Sequence, residues 1–321
     1  MKFLRVMLLM TFLTTAFAPA AQAAAPVGSL KQYRVPTANS KPRYITNGVD
    51  GNQWFTESSE FLPPAIGRIT PAGAITEFAI TCNFCILNDI IQGPDGILYF
   101  TSNDPILGRI TTAGAQLTSI PMPDFDVLAG NLDVHGNEMW ITDFNNNSVW
   151  RYNIVTSVFT QFVPPTPAAT PADVVVDAAG TVWFTESGAG QIGRLNPATG
   201  IITETATGVF PQGIAIATDG QIWFTSRFSP QAVGRLNPAT NVVTVFPVTN
   251  VGPQSIAAAP DGSLWFTQTT AGNIAKIGSD GVIAEAKAVK GSEPFGITVD
   301  SAGNPWYTMM AANKIAEFQL R

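Results

Sequence analysis

One histidine, two cysteines and few charges are all this 321-residue chain offers to much of side-chain chemistry. Charged residues make up 12% of it, 17 basic against 23 acidic, while hydrophobic residues make up 45%. So little charge beside so much apolar material excludes a disordered chain and leaves enough for one large core or two ordinary ones. Lysine and arginine never cluster beyond a pair. That excludes a nucleic-acid partner, because neutralising phosphates takes a basic stripe. Beyond the N-terminus no apolar run reaches about 18 residues, so no membrane span is expected.

What is present begins with an export signal. Lys2 and Arg5 form a charged start, Val6 to Ala18 is mostly apolar, and Ala21-Gln22-Ala23 is a small-x-small cleavage site. Residues 1–23 are therefore expected to be removed, leaving a single domain over 24–321 in the periplasm or outside the cell. No cysteine near the cleavage site invites a lipid anchor. The two cysteines stand as Cys82-Asn83-Phe84-Cys85. In an oxidising compartment they are expected to pair, at a gain of about 2 kcal/mol for so short a loop. Unpaired thiols and redox or metal work stay open as alternatives, although Ile86 stands where haem attachment would need histidine.

The dominant signal is a repeat. Trp54-Phe55-Thr56-Glu57 returns as Tyr99-Phe100-Thr101-Ser102, Trp140-Ile141-Thr142-Asp143, Trp183-Phe184-Thr185-Glu186, Trp223-Phe224-Thr225-Ser226, Trp265-Phe266-Thr267-Gln268 and Trp306-Tyr307-Thr308-Met309. The leading aromatics lie 40 to 45 residues apart, the period of four short strands and their turns. Within Gly213 to Thr249 the strands read as Gly213–Ala217, Gln221–Thr225, Ala232–Leu236 and Val242–Val248, separated by Asp-Gly and Asn-Pro turns. We call these A, B, C and D. A sheet apolar on both faces must stack on neighbours, so the sequence predicts an all-β, seven-bladed propeller with almost no helix. The chain opens with a D-like strand, Leu30–Val35, and closes with a C-like one, Lys314–Phe318. The first is expected to complete the last blade and remove an open edge.

In this architecture the D–A and B–C loops share one mouth. Eleven residues before the aromatic, or at the equivalent place, stand Arg43, Asn88, Gly130, Ala172, Gln212, Gln254 and Phe295. Three after it stand Glu57, Ser102, Asp143, Glu186, Ser226, Gln268 and Met309. Both rings are expected at the mouth. His135 falls in an A–B turn and so on the far face, out of hydrogen-bond reach of any substrate at the mouth; no Ser-His or Cys-His pair can be built there. Gly188-Ala189-Gly190-Gln191-Ile192-Gly193 matches G-x-G-x-x-G but runs into strand C, and reads as a blade turn rather than a pyrophosphate site. The recurring Arg68, Arg109, Arg151, Arg194, Arg235 and Lys276 read as structural ion pairs or solvated strand positions. Glu57, Asp143, Glu186 and Glu293 are candidate oxygen ligands for Mg²⁺ or Ca²⁺, or else structural carboxylates.

The run Ile66-Gly67-Arg68-Ile69-Thr70-Pro71-Ala72-Gly73-Ala74-Ile75-Thr76-Glu77-Phe78, with Trp-Phe-Thr-Glu ahead of it, resembles the streptogramin B lyase (virginiamycin B lyase) family over the whole mature chain. The resemblance implies a seven-bladed propeller. It also implies a carbon–oxygen lyase that opens the ester bond of a cyclic depsipeptide antibiotic by elimination, with Mg²⁺ and a catalytic histidine beside acidic partners. Carried over by residue, the family's two histidines fall on Gln254 and Phe295, an acid on Met310 and a mouth tyrosine on Arg43. Only Glu293 keeps its type. Phenylalanine and methionine transfer no proton, and glutamine is no base.

The favoured function is therefore an exported, monomeric propeller binding a small-molecule, peptide or protein ligand at its mouth. Arg43, Asn88, Gln212, Gln254, Phe295, Met309 and Met310 are its candidate contacts. The alternatives are a metal-dependent depsipeptide lyase with relocated carboxylates and a propeller lactonase or hydrolase.

Overall fold

The computed structural model describes residues 16–17, 23–82, 85–249, 251–286 and 289–321. Every regular element among them is a strand, and the strands form seven sheets, five of them wholly antiparallel and hydrogen-bonded in chain order. Blade 4 shows the plan, with A at Pro171–Val176, B at Val182–Glu186, C at Gln191–Asn196 and D at Ile201–Ala206. In blade 5 the observed strands are Ile214–Ile216, Ile222–Ser226, Ala232–Leu236 and Val243–Pro247, within two residues of expectation. The expected G-x-G-x-x-G turn leads directly into strand C of blade 4.

The ring closes as the sequence predicts. Gly28–Arg34 lies antiparallel on Lys314–Leu320, pairing Gly28 with Leu320 and Arg34 with Lys314, so the first strand is the outer strand of blade 7. A short parallel strand, Ala16–Phe17, lies on the outer edge of blade 5 opposite Thr244 and Val245. It falls within the expected export signal, most of which lies outside the described residues.

Three letters of the repeat acquire separate physical jobs. The leading aromatic packs toward the following blade and the next residue toward the preceding one: Trp54 sits in a buried cluster with Leu87 and Phe100 of blade 2, Phe55 in one with Trp306 of blade 7. Phe55 lies opposite Gly67 of strand C, and a Cβ on that glycine would come within 2.0 Å of the ring. The pairs Phe100 with Gly108, Phe184 with Gly193 and Phe224 with Gly234 repeat the arrangement. Blade 3 inverts it, setting Ile141 opposite Trp150 and so conserving volume. The Trp-bearing face is covered by the basic residue of strand C. Arg68 lies 5.6 Å from the Trp54 ring centroid, Arg194 5.0 Å from Trp183, Arg235 5.5 Å from Trp223 and Lys276 5.9 Å from Trp265. These cations are therefore mainly ring covers. The ion-pair reading holds for Arg151 with Glu138 and Lys276 with Asp261.

The threonine closes a circuit around the axis. Thr56 accepts a hydrogen bond from the Tyr44 amide of its own strand A and donates to the Asn88 carbonyl of blade 2 at 2.8 Å. Thr101, Thr142, Thr185, Thr225, Thr267 and Thr308 donate likewise to the carbonyls of Gly130, Ala172, Gln212, Gln254, Phe295 and Arg43. The last bond crosses the seam between blade 7 and blade 1. Close approach at this level needs small residues: a Cβ on Gly296 would lie 2.5 Å from the Arg43 carbonyl.

Candidate functional site

The seven carbonyls held by the threonines belong to the seven residues of the first predicted ring. All seven, Arg43, Asn88, Gly130, Ala172, Gln212, Gln254 and Phe295, line one cavity of about 670 Å³ at the mouth. The D–A and B–C loops complete it with Ile86, Asn103, Leu128, Phe144, Thr170, Ser187, Arg227 and Phe228. Gly130 and Ala172 contribute little bulk, so the space extends over blades 3 and 4. On the other side a chain of polar and aromatic contacts runs from blade to blade. Arg227 donates to Gln254 Oε1 at 3.2 Å, the Arg43 guanidinium lies 5.1 Å from the Phe295 ring, and Arg43 donates to Asn88 Oδ1 at 2.8 Å. Asn88 in turn donates to the Ala129 carbonyl.

The second predicted ring is not at the mouth. Glu57, Ser102, Asp143, Glu186, Ser226, Gln268 and Met309 are each 3% exposed or less, and none lines the cavity. Alternation along strand B explains the difference: with the threonine turned to the next blade, the following side chain enters the sheet packing on the opposite face. The B–C loop residue one step further does reach the cavity in four blades, as Asn103, Phe144, Ser187 and Arg227. Met310, at that same step in blade 7, is half-buried and outside the cavity lining.

Nor do the four candidate metal carboxylates converge. Among the described residues no three His, Cys, Asp or Glu side chains come together. Asp143 accepts from the Leu128 and Asn146 amides, Ser148 Oγ and Trp150 Nε1, a fully structural set of partners. Glu293 is an exposed residue at φ 51° in the loop entering blade 7. Burial pushes the Glu57 carboxyl up to about 8, with Glu77 adding repulsion, and the Glu186 carboxyl up to about 8, with Glu204 adding the same. Both are wall groups.

Below the mouth, residues one step deeper along strand A surround the axis, among them Tyr44, Asp89, Asn131 and Asp173. Each half-buried aspartate staples two blades. Asp89 takes the Ile90 amide of its own strand and the Leu132 amide of blade 3, and Asp173 takes those of Val174 and Ile214. Asp133 bridges to Val176 in the same way. Desolvation raises all three, Asp89 and Asp133 to about 7 and Asp173 to about 6. Neither these aspartates nor Tyr44, Arg227 and Phe228 were singled out by the sequence reading. Counting one position beyond each predicted ring finds four of these six; the exceptions are Asp133, three positions beyond Gly130, and Phe228, two beyond Ser226.

The remaining sequence-stated features lie apart from the mouth. His135 ends strand A of blade 3 on the far face, 3.9 Å from where a Cβ on Gly180 would stand. Cys82 and Cys85 form a disulfide in the loop entering blade 2. It borders a second groove of about 440 Å³ with Phe61 and Leu62, which shares Ile86 with the mouth cavity.

Comparison with known proteins places this geometry. The model of the virginiamycin B lyase family matches residues 20–207 and 202–321. Among solved structures, a streptogramin B lyase is 26% identical, covers 91% of this chain and 98% of its own, and superposes with a TM-score of 0.83. The virginiamycin B lyase of Staphylococcus aureus is likewise 26% identical, with a TM-score of 0.82 and coverage of 91% and 99%. A catalytically inactive histidine-to-alanine form of the S. aureus enzyme with quinupristin gives 25% identity, the same TM-score of 0.82 and the same coverage of 91% and 99%. No curated protein matches the sequence.

Proposed function

This chain belongs to the virginiamycin B lyase family, and from that membership we propose that it is an exported propeller that binds a small or peptidic ligand at its mouth without opening a depsipeptide ring. The observation that carries the reading is the side-chain chemistry of the cavity. Its lining offers two guanidiniums, five amides, hydroxyls and aromatic rings, but no imidazole and no carboxylate. Elimination needs a group that removes a proton, held within hydrogen-bond reach of the substrate. The one histidine of this chain, His135, stands at the opposite end of the blades. In the related S. aureus enzyme a single histidine replacement accompanies inactivity. That relative's quinupristin supports ligand binding as a property of the propeller.

The Mg²⁺ implied by the family resemblance finds a poor donor set here. Of Arg43, Gln254, Glu293, Phe295 and Met310, only Glu293 has a carboxylate, and Gln254 Oε1 is already engaged by Arg227. Hard divalent cations take six or more oxygen ligands, several of them carboxylates when the protein supplies the cage. These residues do not fit Mg²⁺ or Ca²⁺.

The second reading, a ring-opening lyase with relocated carboxylates, draws on the family match over nearly the whole chain. One assay separates them. Purified protein incubated for hours with a streptogramin B and Mg²⁺ is expected to return the cyclic compound intact by chromatography and mass spectrometry. A linear isomer of unchanged mass, abolished by EDTA, would establish the lyase.

A further inference from the structure

The charged side chains that line the mouth cavity are both cations, in a protein whose net charge is −6. Arg43 and Arg227 are its charged lining residues. Neither belongs to an ion pair among the described residues. Arg43 gives Nη1 to Asn88, and its buried Nε has no acceptor. Arg227 gives Nη1 to Gln254. A guanidinium carries five N–H donors in a planar fork, so both retain most of their hydrogen-bonding capacity.

Elsewhere in the molecule cations are spent differently. Arg68, Arg151, Arg194, Arg235 and Lys276 lie across tryptophan rings of the blade faces. Arg43 also touches aromatic rings, 5.7 Å from Tyr44 and 5.1 Å from Phe295, but it does so while lining the cavity. Those contacts restrain the side chain and so lower the entropy lost on binding. The aspartates beneath do not neutralise it. Asp89 and Asp173 each give one oxygen to an amide of their own strand and the other to an amide of the next blade. A cation left beside apolar walls without a counter-charge is costly unless an anion arrives.

We propose that Arg43 and Arg227 form a carboxylate-recognition site, and that the ligand class of the mouth is a small aromatic carboxylate. Arg227, Gln254, Phe295, Arg43 and Asn88 succeed one another around blades 5, 6, 7, 1 and 2, forming a polar arc with a guanidinium toward each end. Opposite the arc, the space over Gly130 and Ala172 is walled by Leu128 and Phe144, with Phe228 beside Arg227. Phe144 and Phe228 are 48% and 55% exposed, large apolar surfaces left uncovered at the rim. An aromatic body fits those walls, and its carboxylate meets the free edges of the forks, where charge-assisted bonds are strongest.

This inference rests on the ligand-binding reading of the mouth, and the test separates the two. Calorimetry at low salt compares phenylacetate and N-acetyl-phenylalanine with phenylacetamide and N-acetyl-phenylalaninamide. The acids are expected to bind at least about tenfold more tightly than the amides, the equivalent of one charge-assisted bond. Arg43→Met and Arg227→Met should each remove most of that preference, while Arg227→Lys keeps part of it. Arg227 is exposed on its loop, so its variants test the site without testing the fold. Acid and amide binding equally, both weakened by Phe228→Ala, would overturn carboxylate selection and leave the mouth reading standing. Binding that ignores the Arg43, Arg227 and Phe228 variants, or no binding of any probe, would overturn both.

Discussion

The seven threonines around the axis and the seven residues whose carbonyls they hold are separated by one hydrogen bond. The first set is the same residue in every blade; the second comprises arginine, asparagine, glycine, alanine, two glutamines and phenylalanine. The inner wall repeats because each threonine must satisfy one amide and one carbonyl in a place that water does not reach. The mouth varies because its side chains project past that wall into open space. Wall substitutions should therefore register in stability and mouth substitutions in binding.

The largest expected effect removes the strand that makes blade 7 equivalent to the others. Deleting residues up to Pro36 strips seven paired residues from Lys314–Leu320 and bares an edge. Calorimetry should show a melting temperature lower by on the order of 10 °C, or association of the truncated chain. A monomer with the melting point of residues 24–321 would refute the closure.

A single hydroxyl gives the next largest effect. Thr185→Val leaves the Asp173 amide and the Gln212 carbonyl without their partner and should cost about 1–3 kcal/mol in denaturant unfolding. Gln212→Ala, across that same bond, removes a side chain whose one hydrogen bond among the described residues is to the Pro211 carbonyl. It should stay within about 0.5 kcal/mol. Equal losses at the two sites would erase the distinction between wall and mouth.

The smallest effect is a slope with pH. Glu57 and Glu186, raised to about 8, keep their protons in the folded wall, whereas in the unfolded chain they titrate near 4.5. Between those values the native state binds more protons, so stability is full below the lower one and declines as pH rises through the upper. Asp89, Asp133 and Asp173 add slopes of the same sign over a narrower window. Blade 6 already carries the neutral solution, Gln268 donating to Glu285 at 3.4 Å. The double variant Glu57→Gln, Glu186→Gln should flatten the melting temperature between about pH 5 and 8 without abolishing its slope. An unaltered slope would place both carboxylates in contact with water.

The repeat made blade number, strand order and ring closure legible, because the aromatic strand B and the glycine of the A–B turn recur at a fixed period. The far face was legible for the same reason: its turns are regular, and His135 leads into one of them. Side-chain direction at the mouth was only half legible. In a surface sheet, polarity tells the outer face from the inner, but a propeller blade buries both faces. Glu57, Asp143 and Glu186 therefore gave no sign that they point into the sheet packing rather than toward solvent. The strand-C arginines were misread in part because a cation lying on a tryptophan looks, in sequence, like one lying in water. Arg227 sits at the same step as Asn103, Phe144 and Ser187, but the residue type there changes from blade to blade and so gives no sign of a shared role.

The threonine circuit grips the mouth residues only by their backbones. Evolutionary change at Arg43, Asn88, Gln212, Gln254 or Phe295 leaves every bond of the circuit in place, so a lineage can exchange these side chains one at a time without crossing an unfolded intermediate. Five such positions, read by neighbours on either side, form a combinatorial alphabet written on a fixed ring. Divergence of ligand preference within this architecture requires point mutation alone.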